Sequence, residues 1–562
     1  MQTRWHLRNM LMGRVACAAL ALALLSGAAC AQSVAPGTED PNNWPQYHRT
    51  SNGWRYSPLD QINRENVGHL HVAWIYHAGE IAGGMQETPI VVDGVVYSIS
   101  GANRVAAIDG KTGKETWHYE TKLDPVTAKA GMPPYSRGVT VGRGKVFIAT
   151  YDGRGIALDQ ATGKEVWSAQ LDDFNKDCAG CYFTAPPVLI KNVLTFGSAI
   201  GDLSATGKVF GVDAESGRKL WTFEVIKKDS ESWSDEAAAK FGGGGVWVPG
   251  SYDSVSDTVF YGTGNPAAMF WGPDREGDNL YTDSVLALEP QTGKLKWYRQ
   301  EIEHDLWDYD STYESLLLDR GGKNLLIHLN KSGFVFVMDR HDGKIENVWS
   351  LVETHDFAKG IDPKTGRIIG RNDLVPGKRF TFCPSAWGGR SWNHGAYNPK
   401  TGLWYTNVLE LCMSGVPTEQ KADPQGYAVG RYGAKDLQVT KIPGKPAGRL
   451  DARDPVTGER KWTYAVDLPL LGSVLTTGGG LVFNGDPLGT VRAFDAEDGN
   501  VLWSFNTGSG LRSGIVSYAV DGKQYILVPS GRGSFAALMM PELFPAMADV
   551  PGAATLIAFT LD

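Results

Sequence analysis

The segment Glu303-His304-Asp305-Leu306-Trp307-Asp308-Tyr309-Asp310 packs four carboxylates into eight residues, beside two aromatic rings. A carboxylate held among aromatics and near a cation suits general-base work. Hard oxygen donors that could hold such a cation stand elsewhere, at Asp202 in Ser198-Ala-Ile-Gly-Asp202 and at Asn265 in Gly262-Thr-Gly-Asn265-Pro266. Carboxylate and amide oxygens select ions of calcium's kind over zinc. Spacing alone leaves a metal site open, although a solvent-facing strand would be an odd place for Trp307.

Two other motifs carry less chemistry than they first suggest. Gly262-Thr-Gly264-Asn-Pro-Ala267 matches a loose dinucleotide fingerprint. Pro266 removes one of the backbone donors that pyrophosphate needs, and no helical period or βαβ unit surrounds it, which argues against a nicotinamide cofactor. Cys178, Cys181, Cys383 and Cys412 lie beyond the N-terminal leader, and in an oxidising compartment an even count favours disulfides. The expected pairs are Cys178–Cys181 and Cys383–Cys412. A redox role for Cys178-Ala-Gly-Cys181 lacks the helix start that lowers a thiol pKa. Tyr182 follows Cys181 where haem attachment would need His, so this is no haem-attachment motif.

The elements that must position these residues are announced by a repeat. The phrase apolar–apolar–Asp–x–x–x–Gly–x–x–x–Trp returns at Asp109/Gly113/Trp117, Asp159/Gly163/Trp167, Asp213/Gly217/Trp221, Asp454/Gly458/Trp462 and Asp495/Gly499/Trp503. Glu289/Gly293/Trp297 keeps the spacing, Asp339/Gly343/Trp349 is longer, and Asn398/Gly402/Trp404 is shorter. A phrase at such a period marks stacked supersecondary units. The β-branched run suits a strand, Asp and Gly suit a tight turn, and Trp offers apolar area for docking between units. The repeat therefore predicts an all-β, eight-bladed β-propeller with Trp-docking repeats. One end of its inner strands opens on a central pocket, where the acidic segment belongs.

Composition agrees: 562 residues with 68 glycines and 18 tryptophans describe a turn-rich β protein with a large core. Arg4, Arg8 and Arg14 precede an apolar stretch, residues 15–25, that is too short to span a bilayer, and Ala29-Cys30-Ala31 fits a cleavage site. Residues 1–31 are expected to be a signal peptide and 32–562 the propeller domain, exported to the periplasm. A lipoprotein reading through Cys30 meets Gly27 where Leu would be wanted. Removing the leader makes the formal net charge of −8 more negative by three arginines. No basic patch suits nucleic acid, and no other segment suits a membrane span.

An ordered series of motifs resembles the quinoprotein alcohol dehydrogenases, which use pyrroloquinoline quinone (PQQ) to oxidise methanol, ethanol and related alcohols. It runs through Trp44-Pro-Gln, residues 55–63 (Arg-Tyr-Ser-Pro-Leu-Asp-Gln-Ile-Asn) and Pro89-Ile-Val-Val-Asp-Gly94. It continues through Ser136-Arg-Gly138, residues 242–247, Gly277-Asp-Asn-Leu-Tyr281, residues 304–310 and residues 475–483. The resemblance implies that Asp308 takes the alcohol proton while hydride passes to C5 of PQQ, with Lys331 beside the reacting oxygens. It implies Trp247 under the PQQ ring, Arg137, Thr184 and Lys331 on its carboxylates and quinone oxygens, and Gln86, Glu87, Gly201, Trp392 and Asn393 as further contacts. It places Asp202, Asn265, Asp308 and Asp310 around calcium or a lanthanide ion.

Departures from that pattern are specific. Asp202 stands where a Glu is usual, Lys331 where methanol dehydrogenases carry Arg, and Gln86 where a Glu is usual. Residues 131–137 lack the adjacent cysteines that cover one PQQ face in many relatives. Leu471 replaces a pocket Trp, which suggests a roomier substrate site. Asp310 matches the second Asp of lanthanide-using relatives, although sugar dehydrogenases share it, so calcium and lanthanide stay equal alternatives. The implied partners are a small alcohol and an external cytochrome c-type acceptor, and the pattern is compatible with a homodimer. The rival readings are a PQQ-dependent sugar or polyol dehydrogenase and a non-catalytic propeller scaffold. If Cys178, Cys181, Cys383 and Cys412 are all bridged, thiol titration of the denatured mature protein should find none of the four reactive.

Overall fold

The computed structural model describes residues 40–79, 84–124, 135–173, 182–199, 205–227, 232–421, 432–532 and 542–562. Cys178, Cys181, Gly201 and Asp202 lie outside them. The described chain is all-β, with one short α-helix, Glu236–Lys240, among the described residues. None of its helices is long and apolar enough to cross a membrane.

Seven four-stranded sheets and one five-stranded sheet follow one another along the chain. Six of the eight draw their four strands from one continuous stretch, by antiparallel pairing of sequential neighbours, as in Ile90–Val92, Val95–Ile99, Arg104–Asp109 and Glu115–Glu120. A fifth strand, Tyr56–Ser57, joins the sheet around Leu475–Thr477 in parallel. Of the other two, one (Ala396–Asn398, Leu403–Leu409, Gly448–Arg453 and Arg460–Val466) is interrupted between its second and third strands, and the other joins the two ends of the described chain, because His71–His77 pairs antiparallel with Thr555–Thr560. A further sheet, with Phe380–Phe382, Leu411–Pro417 and Ala434–Lys441, grows out of the sequence between Ser350 and Gly448.

The repeated phrase has a local physical cause. Asp109 Oδ1 accepts from the backbone N–H groups of Lys111 and Thr112, and Gly113 closes the turn at φ 72°. One bulged residue then shifts the register just before the tryptophan, so that Trp117 lies opposite Ala107. Trp167, Trp221, Trp297, Trp462 and Trp503 likewise oppose Ala157, Gly211, Ala287, Ala452 and Ala493. A small residue there leaves room for the indole.

The indoles of Trp117, Trp167, Trp221, Trp297, Trp349 and Trp462 then reach the turn of the next sheet. Trp117 Nε1 donates to Gln160 O at 3.1 Å, Trp167 to Ala214 O at 3.2 Å and Trp221 to Pro290 O at 3.0 Å. A Cβ on Gly163, Gly217 or Gly293 would lie 2.4–2.6 Å from those rings. The glycine of the phrase is thus required by two constraints at once, left-handed backbone and close approach.

One member of the repeat was misassigned from spacing. Trp404 sits on the second strand of its sheet, Leu403–Leu409, and not on the fourth, which carries Trp462. The turn glycine Gly402 accordingly faces open space. The missing member is Trp74, on His71–His77, whose Nε1 donates to Gly110 O at 2.9 Å and whose ring lies against Gly113. Its strand has no preceding Asp-to-Gly turn because its hairpin partner comes from the other end of the chain.

The contrast between two glycines gives a test. Gly499→Ala brings a Cβ within 2.6 Å of Trp462 at φ 78°, whereas Gly402→Ala meets only its φ of 69°. Urea unfolding should show Gly499→Ala losing about 1–3 kcal/mol more than Gly402→Ala.

Candidate active site

The acidic segment leaves its sheet as a loop between Leu295–Gln300 and Ser315–Arg320. Asp305 is fully buried and accepts from the backbone N–H groups of Trp307 at 2.8 Å and Tyr309 at 2.7 Å. That clamp folds the loop around Asp308, which adopts a left-handed φ of 64°. Asp is one of the few side chains that tolerates that conformation. Burial pushes the Asp305 carboxyl up to about 6 despite its two hydrogen bonds. The far side of the loop is tied by Tyr309, whose hydroxyl donates to Pro384 O at 2.6 Å. Pro384 adjoins the Cys383–Cys412 disulfide, which bridges the inserted sheet as the sequence leads one to expect.

Asp308 and Asp310 converge on a single ammonium. Lys331 Nζ stands 2.9 Å from Asp308 Oδ1 and 2.5 Å from Asp310 Oδ2. Burial works against the lysine's charge, yet the two carboxylates outweigh it and hold its pKa well above the ordinary value. Asp310 Oδ1 also accepts from the backbone N–H of Asn265 at 3.0 Å. Gly264 makes this approach possible, because a Cβ there would meet Asp310 Oδ1 at 2.5 Å. Asn330 fixes the other side, its amide donating to Tyr309 O at 2.5 Å and to Ser311 Oγ at 3.0 Å.

A second cluster surrounds Arg137. Its guanidinium lies 4.9 Å from the Trp247 ring centroid and 4.4 Å from that of Trp392. It donates to Thr184 Oγ1, and Thr184 in turn reaches Trp247 O at 3.4 Å. Asn393 Nδ2 donates to Arg512 O at 2.6 Å, and Arg512 lies 5.9 Å from the Trp392 ring.

Two backbone contacts bring the clusters together. Gly264 N donates to Gly245 O at 2.7 Å, two residues before Trp247, and Gly389 N donates to Lys331 O at 2.7 Å, three residues before Trp392. The structure therefore gathers Arg137, Thr184, Trp247, Asn265, Asp308, Asp310, Lys331, Trp392 and Asn393. Glu87 is turned into its own sheet, where Ser98 Oγ and the Ile99 N–H donate to it at 2.5 and 2.6 Å. Gln86 beside it has no partner for its amide nitrogen among the described residues.

Asp283 and Arg512 escaped the sequence reading. Asp283 is a fully buried carboxyl whose pKa is raised by burial, and further by Asp305 and Asp310. Its position just after Gly277-Asp-Asn-Leu-Tyr281 was the one available signal.

The residues fit a planar, carboxylate-bearing cofactor. Gln86 Nε2, Arg137 Nε, Asn393 Oδ1, Arg512 Nη1 and Ser513 Oγ are buried with no hydrogen-bond partner among the described residues. Buried polar groups are otherwise nearly always bonded. Two indole faces and such an array suit an aromatic polyanion. The fit to a cation is of a different kind. The two carboxylates and Asn265 supply hard oxygen donors, but no group of three or more metal-binding side chains of the His, Cys, Asp and Glu types is found among the described residues.

Comparison with known proteins converges on the same cofactor. Residues 44–359 and 428–526 match the PQQ family model described as glucose/ethanol/alcohol dehydrogenase, beta-propeller domain. Quinoprotein alcohol dehydrogenase PedH of Pseudomonas putida KT2440 is 34% identical over 582 residues, with 96% of each chain covered. Quinohemoprotein alcohol dehydrogenase of Comamonas testosteroni is 35% identical over 525 residues, covering 88% of this chain and 73% of the relative. Among solved structures, a europium-containing methanol dehydrogenase superposes with a TM-score of 0.86 at 28% identity, covering 93% of this chain and 99% of that one. The chain belongs to the PQQ-dependent quinoprotein alcohol dehydrogenase family.

The buried Glu87 yields a pH test. Burial raises its carboxyl from 4.5 to about 8 despite its two hydrogen bonds. A carboxyl raised in the folded state binds a proton that the unfolded chain has released, so stability falls as pH rises between 4.5 and about 8. Glu87→Gln removes that slope. Urea unfolding of apo-protein should show the variant gaining on wild type from pH 5 to pH 8, by at most roughly 1.4 kcal/mol per unit.

Proposed function

We propose that the protein is an exported, PQQ- and metal-dependent dehydrogenase. It oxidises a primary or secondary alcohol to the aldehyde or ketone and passes electrons to an external cytochrome c-type acceptor. The observation that carries this reading is the convergence of Asp308 and Asp310 on Lys331, joined through Gly245 and Gly389 to the Arg137–Trp247–Trp392 cradle.

When bound, PQQ supplies the hydride acceptor and a hard cation the Lewis acid that polarises it. The chain's own residues do the rest. Asp308 Oδ accepts the hydroxyl proton, and its left-handed backbone fixes the direction of that carboxylate. Lys331 stays charged and orients the Asp308 carboxyl through their ion pair. Trp247 offers a ring face, and Arg137 and Thr184 bind carboxylate. Asp308, Asp310 and Asn265, with Asp202 from outside the described residues, would hold the cation, and Gly201, also outside them, would contact PQQ. Two carboxylates around one ammonium leave a residual negative charge, which supports a further cation at this place. Asp310 and the likeness to a europium-containing enzyme favour a lanthanide, while Asp202 in place of Glu keeps calcium in play.

The eight sheets are read as eight blades, closed by His71–His77 and held by indole-to-turn contacts. Residues 1–31 are read as the removed leader. The Cys383–Cys412 bridge supports an oxidising compartment.

Dye-linked assays of apo-protein loaded with PQQ and calcium or lanthanum, over a panel of alcohols and aldoses, test the reading. Asp308→Ala should lower kcat at least about 100-fold with an unchanged melting curve. Near wild-type dye reduction would remove Asp308 as base. Asp310→Ala should reduce activity with lanthanum more than with calcium, and lanthanum activity that survives the substitution would take Asp310 out of the metal site.

A further inference from the structure

Among the described residues, Arg512 is the buried cation that the fold leaves least satisfied. It is 4% exposed, and neither Nε nor Nη1 has a hydrogen-bond partner among the described residues. Its one side-chain hydrogen bond among the described residues is Nη2 to Ser391 Oγ at 3.4 Å, at the weak end of the range. Other buried arginines are matched. Arg55 donates to the carbonyls of Tyr47, Val474 and Ile515 and to Thr88 Oγ1. Arg275 donates to the carbonyls of Ala268, Met269 and Asp305, and Arg390 grips both oxygens of Glu314. A second guanidinium makes the position of Arg512 costlier, since Arg137 lies on the other contact of the same Trp392 ring and repels it.

An isolated buried cation is expensive unless an anion compensates it. Two planar forks at one indole, with Ser513 Oγ also unpartnered beside them, match the geometry of a carboxylate better than that of a single halide. We propose that Arg512 completes, with Arg137, a two-arginine carboxylate-binding subsite at the edge of Trp392. The carboxylate comes from one of two sources, the aromatic polycarboxylate cofactor or an alcohol substrate that carries an acid group. Arg512 also lines, together with Leu471, Leu511 and Met547, a cavity of about 10 Å³ that marks the side from which the second source would have to enter. The inference rests on the PQQ-dependent reading above, and adds a residue that the family resemblance did not assign.

The test uses Arg512→Leu and, in case that variant does not fold, Arg512→Gln, each checked by its melting curve. In one arm, apo-protein is titrated with PQQ while tryptophan fluorescence is followed, and the trimethyl ester of PQQ serves as the uncharged control. In the other arm, the loaded enzyme is assayed with 6-hydroxyhexanoate and 1-hexanol. A cofactor source weakens PQQ binding about 10- to 100-fold in the variants, leaves the ester unaffected and leaves the ratio of the two substrates unchanged. A substrate source lowers kcat/KM for 6-hydroxyhexanoate relative to 1-hexanol at least about tenfold, with PQQ affinity retained. Folded variants that match wild type in both arms overturn the subsite while leaving the PQQ reading intact. Wild-type protein that binds no PQQ overturns both.

Discussion

One ammonium shared by two buried carboxylates governs the architecture around it. Two carboxylates so close in a low-dielectric interior repel each other, and the Lys331 ammonium between them, held charged by both, offsets that repulsion. The surrounding elements read as the means of keeping three such groups in place. Asp305 clamps the loop from behind, Asn330 from the side, and Tyr309 from the disulfide-bridged insertion. Gly264 and Gly388 lack a Cβ where one would strike Asp310 and Lys331. Substitutions in these supports should therefore disturb the charged trio before they disturb the sheets.

The Arg137 cradle is built on the opposite principle. The acidic cluster balances its charges internally, whereas the cradle collects cations and donors with few acceptors. A site that is under-satisfied on its own and flanked by flat aromatic faces is preorganised for a ligand that brings the missing charge. Backbone contacts at Gly244, Gly245 and Gly389 run along the boundary between the two clusters. Each can be altered at its side chains with modest effect on the position of the other.

Much of this was legible in the sequence, for reasons that differ by level. The strand period, the Asp-to-Gly turn and the Trp recur because each unit solves the same local problem, and local chemistry is written locally. The failure at Trp404 is instructive. Its spacing mimics the phrase, but a strand's rank in its sheet is set by pairing, and no spacing rule reports pairing. Trp74 was invisible for the converse reason, since its partner strand lies at the far end of the chain. In the site, Asp308 and Asp310 drew attention as a cluster, while Lys331 entered only through family resemblance. Nothing in a run of 23 residues tells a reader that two side chains will meet. Arg512 gave no signal at all, because a lone arginine in a glycine-rich loop reads as an ordinary surface residue until its burial is seen.

The pairing of His71–His77 with Thr555–Thr560 carries a consequence for biogenesis. Until the last strand has been made, the first one presents an open row of backbone donors and acceptors and its sheet cannot be completed. Closure across so many residues costs entropy that grows only with the logarithm of loop length, but the contact is among the slowest to find. A chain cut short at its end by even one strand would thus be marked as incomplete at its beginning. Joining the two ends elsewhere by circular permutation should shift that vulnerability to whichever sheet is newly divided.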